Sequence, residues 1–125
     1  MSDPIADLLI RLKNASAVSK NEVILAYSKH KKAILDVILR EGFIDSVAEK
    51  TVKNFQVLVV GIGSKKMSHI KRISKPGQRI YVGSEDIPRP LRGLGLIVVS
   101  TPVGVISGKE ARKRNIGGEL ICEVW

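Results

Sequence analysis

Lys71, Arg72 and Lys75, then Arg79, then Arg89 and Arg92 in IPRPLRG, and finally Lys109, Arg112, Lys113 and Arg114 in SGKEARKRN punctuate an otherwise aliphatic second half. Residues 63–125 hold 12 Lys and Arg against 5 Asp and Glu, a net +7, whereas residues 1–62 hold 9 against 7, a net +2. Cations that alternate with apolar residues on a half-buried sheet point outward, where they neutralise phosphates and release counterions. Such contacts position a protein on a polyanion without reading its sequence. The second half is therefore the expected seat of binding, and nucleic acid the expected partner of a chain with net charge +9 and pI about 9.9.

Amid these cations, STPVGVISG, residues 100–108, carries no charge. Ser100, Thr101, Gly104 and Ser107 offer small hydroxyls and close backbone approach, which suit the shallow minor groove of an A-form helix. A plain turn followed by a helix cap is the competing reading. A second cationic group, Lys29, His30, Lys31 and Lys32, crowds the first turn of a helix, where the dipole disfavours positive charge. It is either a solvated helix end or an anion site.

Other chemistry is not signalled. His30, His69 and Cys122 show no metal-ligand spacing, and GIGSKK lacks the full phosphate-loop pattern. Ser100 and Thr101 have no recognisable activating base, and Asp3, Asp7, Glu110 and Glu119 form no catalytic pair. The chain is therefore not expected to be an enzyme or to carry a cofactor or metal. A lone cysteine fits a reducing, cytosolic compartment and is expected to be a buried, inert thiol. No apolar run approaches the roughly 18 residues of a membrane span, and no secretion signal opens the chain, so no membrane role is expected.

The elements that must position these residues follow from hydrophobic period and breakers. SDPIADLLIRLKNASA reads as a helix capped by Ser2 or Asp3, with Ile5, Leu8, Leu9 and Leu12 on one stripe and Arg11 and Lys13 off it. EVILAY is a strand, after which Ser28 caps a helix that buries Ile34, Val37 and Ile38 and stops at Gly42. FIDSVAEKTVKNFQVLVVGIG gives two strands around a polar turn, and the unbroken run Val57 to Val60 predicts a well-buried strand. GSKKMSH reads as a linker. IKRISKPGQRIYVG predicts a hairpin turning at Pro76 and Gly77, with Lys71, Arg72 and Lys75 on one strand and Arg79 on its partner. LIVVST, GVIS and ELICEV are three more strands, and Ser107 with Glu110 has capping-box spacing for a short helix ending by Gly117. The expected class is α+β in two small packed units. Residues 1–65 form an α-β-α-β-β unit; residues 66–125 form a mostly antiparallel β unit with a short helix that binds RNA. Hydrophobic residues make up 44% of the chain but aromatics only 4%, so the core must be Ile, Val, Leu and Ala.

The run RISKPGQRIYVG…IPRPLRGLGLIVVSTPVGVISGKEARKRNIGGELICEVW, together with DPIADLLIRLKNA, closely resembles the bacterial family of the eighth protein of the small ribosomal subunit. The resemblance spans nearly the whole chain and weakens between about residues 14 and 70. It implies a cytoplasmic, ribosome-bound primary rRNA-binding protein, monomeric within the subunit, that docks on a stem of the central domain and helps assemble the platform. Translational repression through a mimic of that stem in its own operon mRNA is a further implied role, and the fifth and twelfth small-subunit proteins are implied neighbours. The loop matched by Ser100, Thr101 and Gly104 is implied to enter the RNA minor groove, beside Gly117, Gly118 and Glu119. Ser107, Lys71, Lys75, Arg79, Arg89, Arg92, Lys109, Arg112, Lys113, Lys31 and Lys32 complete the expected rRNA surface. Three departures stand out. The family usually has serine where this chain has Pro102, a basic residue at Val103, and Thr-Asp at Ser107-Gly108, so fewer direct hydrogen bonds to RNA are expected here.

Overall fold

A computed structural model describes residues 3–18 and 20–125. Helix α1, Pro4–Ala17, starts at Asp3, whose Oδ1 accepts the N–H groups of Ile5 and Ala6 at 3.2 Å. Ser2, the other candidate cap, lies outside the described residues. Ile5, Leu8, Leu9, Leu12 and Ala15 form its buried stripe. After strand β1, Glu22–Ala26, the Ser28 hydroxyl accepts the Lys31 N–H at 3.1 Å and starts α2, Lys29–Arg40. Helix α2 ends in a Schellman motif: Phe43 N–H returns to the Ile38 carbonyl and Gly42 N–H to that of Leu39. Gly42 takes φ +82°, the left-handed conformation this motif needs. Strands β2, Ser46–Val52, and β3, Phe55–Gly61, turn through Lys53 and Asn54, both at positive φ.

These strands form an antiparallel sheet in the order β1-β3-β2. Leu25, Leu58 and Val60 turn inward and are buried. The Val57 to Val60 run is therefore buried only at alternate positions, Val57 and Val59 being half-buried on the outward face. A fully buried strand needs layers on both sides, and the helices supply only one.

The expected linker is pinned. Met67 is buried, its N–H donates to Ser16 Oγ at 3.2 Å, and the Ser68 and His69 N–H groups donate to the Trp125 carbonyl. The predicted hairpin is absent as such. Strands β4, Ile70–Arg72, and β5, Tyr81–Val82, pair with β8, Gly118–Val124, and not with one another. They form one interrupted strand. Between them residues 75–78 close a tight turn, with Lys75 and Gln78 bridged and Gly77 at φ +80°. Ser74, fully buried, pinches its base by accepting the Ile80 N–H at 2.9 Å and donating to the Ile80 carbonyl at 3.3 Å. The Pro-Gly signal is real, but the ladder it serves belongs to a strand some forty residues away.

The second sheet runs β4-β8-β6-β7, with β6 spanning Leu96–Thr101 and β7 Gly104–Ser107, and α3, Gly108–Lys113, packs on it. Leu96 and Val98 face a core shared with Leu8, Leu12, Ile34 and Leu58, while Ile97 and Val99 face a smaller core with Ala111, Ile87 and Ile106. Between Val98 and Val99 the register with β8 shifts by one residue, a β-bulge that places both Ile121 and Cys122 in the shared core. The fold is α+β, with two antiparallel sheets, as expected.

Arg72 departs from its expected outward position. Its side chain is 9% exposed, with Nε 3.2 Å from Asp3 Oδ2 and Nη1 donating to the Ile121 carbonyl at 3.0 Å. Sharing the inward face with Cys122, its register partner, it becomes a tie between α1 and the second sheet. Burial pushes the Asp3 carboxyl up, but the Ala6 N–H, the Arg72 guanidinium and the Ile5 N–H together hold it below the ordinary value.

Candidate nucleic-acid interface

The uncharged loop is a two-residue hairpin turn. Thr101 pairs with Gly104, which leaves Pro102 and Val103 at an exposed tip, and Gly104 takes φ +119°. The Thr101 hydroxyl accepts the Val103 N–H at 3.2 Å and donates to the Gly104 carbonyl at 2.7 Å. Its proton is therefore engaged in shaping the turn rather than free for a ligand. Ser107 caps α3, its hydroxyl accepting the Glu110 N–H at 3.1 Å. The reciprocal arm of the expected capping box goes elsewhere, Glu110 Oε1 accepting Arg114 Nε at 2.8 Å.

Behind the tip, register brings Tyr81, Glu119, Ser100 and Val105 into one row across β5, β8, β6 and β7. Arg79 stands beside it, Nη1 donating to Glu119 Oε2 at 3.0 Å, with Glu119 largely shielded. Tyr81, not singled out in the sequence, is 69% exposed here. Its signal was an aromatic residue directly after Arg79 and Ile80 in a basic segment. Gly117 and Gly118 let β8 thread this site. A Cβ on Gly117 would meet Gly83 Cα at 2.8 Å and the Val82 carbonyl oxygen, and one on Gly118 would meet the Ser100 carbonyl.

The N-terminus of α2 adjoins this end of the sheet: Ser28 and His30 line one cleft with Asp3, Arg72, Pro76 and Arg79. Lys31 Nζ donates to the Ala26 carbonyl at 3.3 Å, and Lys32 Nζ lies 2.8 Å from Asp36 Oδ1. The hydrogen bond to Asp36 holds the Lys32 ammonium above its ordinary value. Lys75 and Arg79 are exposed on the turn between β4 and β5, not on two paired strands.

The remaining cations lie on the other layer of the second sheet. Lys109 and Lys113 are exposed on α3, which packs through Ala111 against Ile97 and Val99. Arg112 folds back, Nη1 donating to the Pro88 carbonyl at 3.3 Å; burial, then the nearby charge of Arg89, lowers its pKa. Arg89 and Arg92 are exposed, and Arg92 follows Leu91 in a turn where both take positive φ. Lys71 pairs in register with Glu123 at the opposite end of β8 from Glu119. The structure thus brings Ser100, Thr101, Gly104, Gly118, Glu119 and Arg79 together at one end. Lys109, Arg112, Lys113, Arg89 and Arg92 stand apart from them, and Lys71 lies apart from both groups.

Cys122 is fully buried, and desolvation pushes its thiol up to about 12. Among the described residues no cluster of His, Cys, Asp and Glu has the makings of a metal site, and no helix is long and apolar enough to cross a membrane.

A family model described as Ribosomal protein S8 matches residues 3–125. The chain is 44% identical over 125 residues to the small ribosomal subunit protein uS8 of Nitratidesulfovibrio vulgaris, covering all of this chain and 99% of that protein. It is 46% identical over 129 residues to the uS8 of Dictyoglomus thermophilum, covering all of this chain and 98% of that protein. With the uS8 of Thermus aquaticus it shares 43% identity over 137 residues, at 100% and 99% coverage.

Proposed function

Because the chain belongs to the ribosomal protein S8 family, whose members are structural and not enzymes, we propose that it is a constituent of the small ribosomal subunit that binds a double-helical stem in the central domain of the rRNA and helps assemble the platform. The observation that carries this is the exposed β6–β7 tip, uncharged and fixed by Thr101, beside the Tyr81–Glu119–Ser100 row and the cations of Arg79 and the α2 N-terminus. A narrow, rigid, uncharged edge fits a shallow minor groove, while flanking cations meet the phosphates on either side. On this reading residues 66–125 supply most of the RNA contact and residues 1–65 contribute through α2. The fifth and twelfth small-subunit proteins are its neighbours in the particle.

Titrating the purified protein with the central-domain stem and with a scrambled duplex of equal length, across a salt series, tests it. One-to-one binding that keeps its preference for the stem as salt rises is expected; equal affinities that collapse together would sink the groove reading. Thr101→Ala is expected to lower stem affinity with little change in salt slope, whereas Lys75→Ala, which removes an exposed cation of the turn beside Arg79, is expected to reduce the slope by about one. An mRNA segment folded into the same stem is expected to compete for this surface, which tests repression of the protein's own operon.

A further inference from the structure

One hydroxyl closes the break between β4 and β5. Ser74 N–H donates to the Leu120 carbonyl of β8 at 3.0 Å, and Leu120 N–H donates to the Ile80 carbonyl at 3.0 Å. In an uninterrupted antiparallel ladder, a hydrogen-bonded pair exchanges both bonds between the same two residues. Leu120 divides them between Ser74 and Ile80, which leaves the Ile80 N–H without that carbonyl. The Ser74 hydroxyl takes the carbonyl's place, accepting the Ile80 N–H at 2.9 Å and returning its own proton to the Ile80 carbonyl at 3.3 Å. Apart from the Cys122 thiol, Ser74 is the only fully buried polar side chain among the described residues. A buried hydroxyl is costly unless its bonds are made, and here both go to a single residue.

Beyond Ile80 the strand has only Tyr81 and Val82 in register with Glu119 and Gly118. Gly117 and Gly118 bring no side chains to interdigitate, and pairing along such a glycine-rich stretch specifies register weakly. A slip of one residue would carry the exposed Tyr81 off its row and put Val82 opposite Glu119. The same closure sets two cations, since Lys75 follows Ser74 directly and Arg79 directly precedes Ile80. Arg79 reaches Glu119 at 3.0 Å and, with Pro76, lines the cleft shared by Ser28 and His30 of α2. The two backbone bonds between Lys75 and Gln78 join those residues only to each other, so they shape the tip and leave the register to Ser74.

We infer, given the RNA reading above, that Ser74 is a positioning residue of the RNA site: its hydroxyl fixes the register that sets Tyr81 opposite Glu119 and holds Lys75 and Arg79 toward the phosphates. Titrating the full chain and its Ser74→Ala variant with the central-domain stem and the scrambled duplex, across a salt series, tests it. Ser74→Ala removes no charge, yet it is expected to weaken stem binding at least about tenfold and to lower the salt slope by about one to two, as Lys75 and Arg79 leave their phosphates. Arg79→Ala is expected to weaken the parent but to change affinity less than about twofold in the Ser74→Ala background, because the two residues act as one unit. A merely structural serine would lower the urea midpoint and leave the salt slope of the folded variant unchanged. A glycine inserted after Gly77 gives a second test that does not depend on how well Ser74→Ala folds. The added residue falls in the tip beyond the closure, so stem affinity is expected within about threefold of the parent with the slope unchanged. A parental slope in Ser74→Ala, multiplicative effects of Ser74→Ala and Arg79→Ala, or a lowered slope on insertion would overturn the role of Ser74 while the RNA reading stood. Absence of a stem preference in the parent would bring both down.

Discussion

Gly118 occupies a position where any side chain would enter the backbone of β6: a Cβ there would lie 2.9 Å from the Ser100 carbonyl carbon. Gly118→Ala is expected to destabilise the fold by about 1–3 kcal/mol, the usual cost of overpacking, read as a lower urea midpoint with unchanged slope. The sequence and its resemblance attach this glycine to RNA, whereas the close passage of β8 and β6 accounts for it without a ligand. Gly108 is a similar case. A Cβ there would sit 2.9 Å from Ile87 Cγ2 and 3.2 Å from Ile97 Cβ, so the departure from aspartate is matched by local packing. Gly108→Asp is therefore expected to lower the urea midpoint rather than restore a missing RNA contact. Charge was legible residue by residue, but direction was not. Arg72 turns inward because Asp3, 69 positions earlier, waits for it, and Arg112 folds back because the carbonyl of Pro88 is in reach. Cys122 was legible because it lies in the largely apolar stretch ELICEVW, where a lone thiol is expected to join the core. Its raised pKa gives the expectation that a thiol reagent at pH 8 modifies it only after the chain is unfolded.

Among the elements, α1 and α2 could be read from the sequence almost to the residue. Their caps, stripes and stops are local, the Schellman glycine of α2 included. Strands β4 and β5 could not, because a strand is defined by its partner and theirs is β8. The Asp3–Arg72 pair links the best-read element to the worst-read one, and it carries a pH dependence. Asp3 has a lowered pKa when folded, so its contribution is fully present above the unfolded value near 3.8 and is lost as pH falls through the folded value. Asp3→Asn keeps a capping side chain but removes the charge. At neutral pH it is expected to cost about 1–3 kcal/mol, as for a hydrogen bond to a charged group. Urea midpoints followed from pH 6 to pH 2 should show the gap between parent and variant closing below about pH 4.

At the scale of the molecule, the two sheets are not independent bodies. Val98, Ile121, Cys122 and Val124 from the second half lie in the same core as Leu8, Ile34 and Leu58 from the first. Unfolding is accordingly expected to be one transition, with Trp125 fluorescence and far-ultraviolet dichroism coincident along a urea titration; a lag between them would mean that the sheets melt separately. The alternating charge and two-sheet plan were legible at this scale, but a common core was not, because sequence patterns describe each segment's apolar face and not what it meets. The place of β8 in the sheet also sets an order of events during synthesis. Among the described strands it is made after all the others, yet β4, β5 and β6 all pair with it. The first sheet has all its strands by Gly61, but the core beneath it stays open where Ile121, Cys122 and Val124 belong, and the second sheet lacks its central strand until Val124 has emerged, so neither half of the fold can finish before β8 is made.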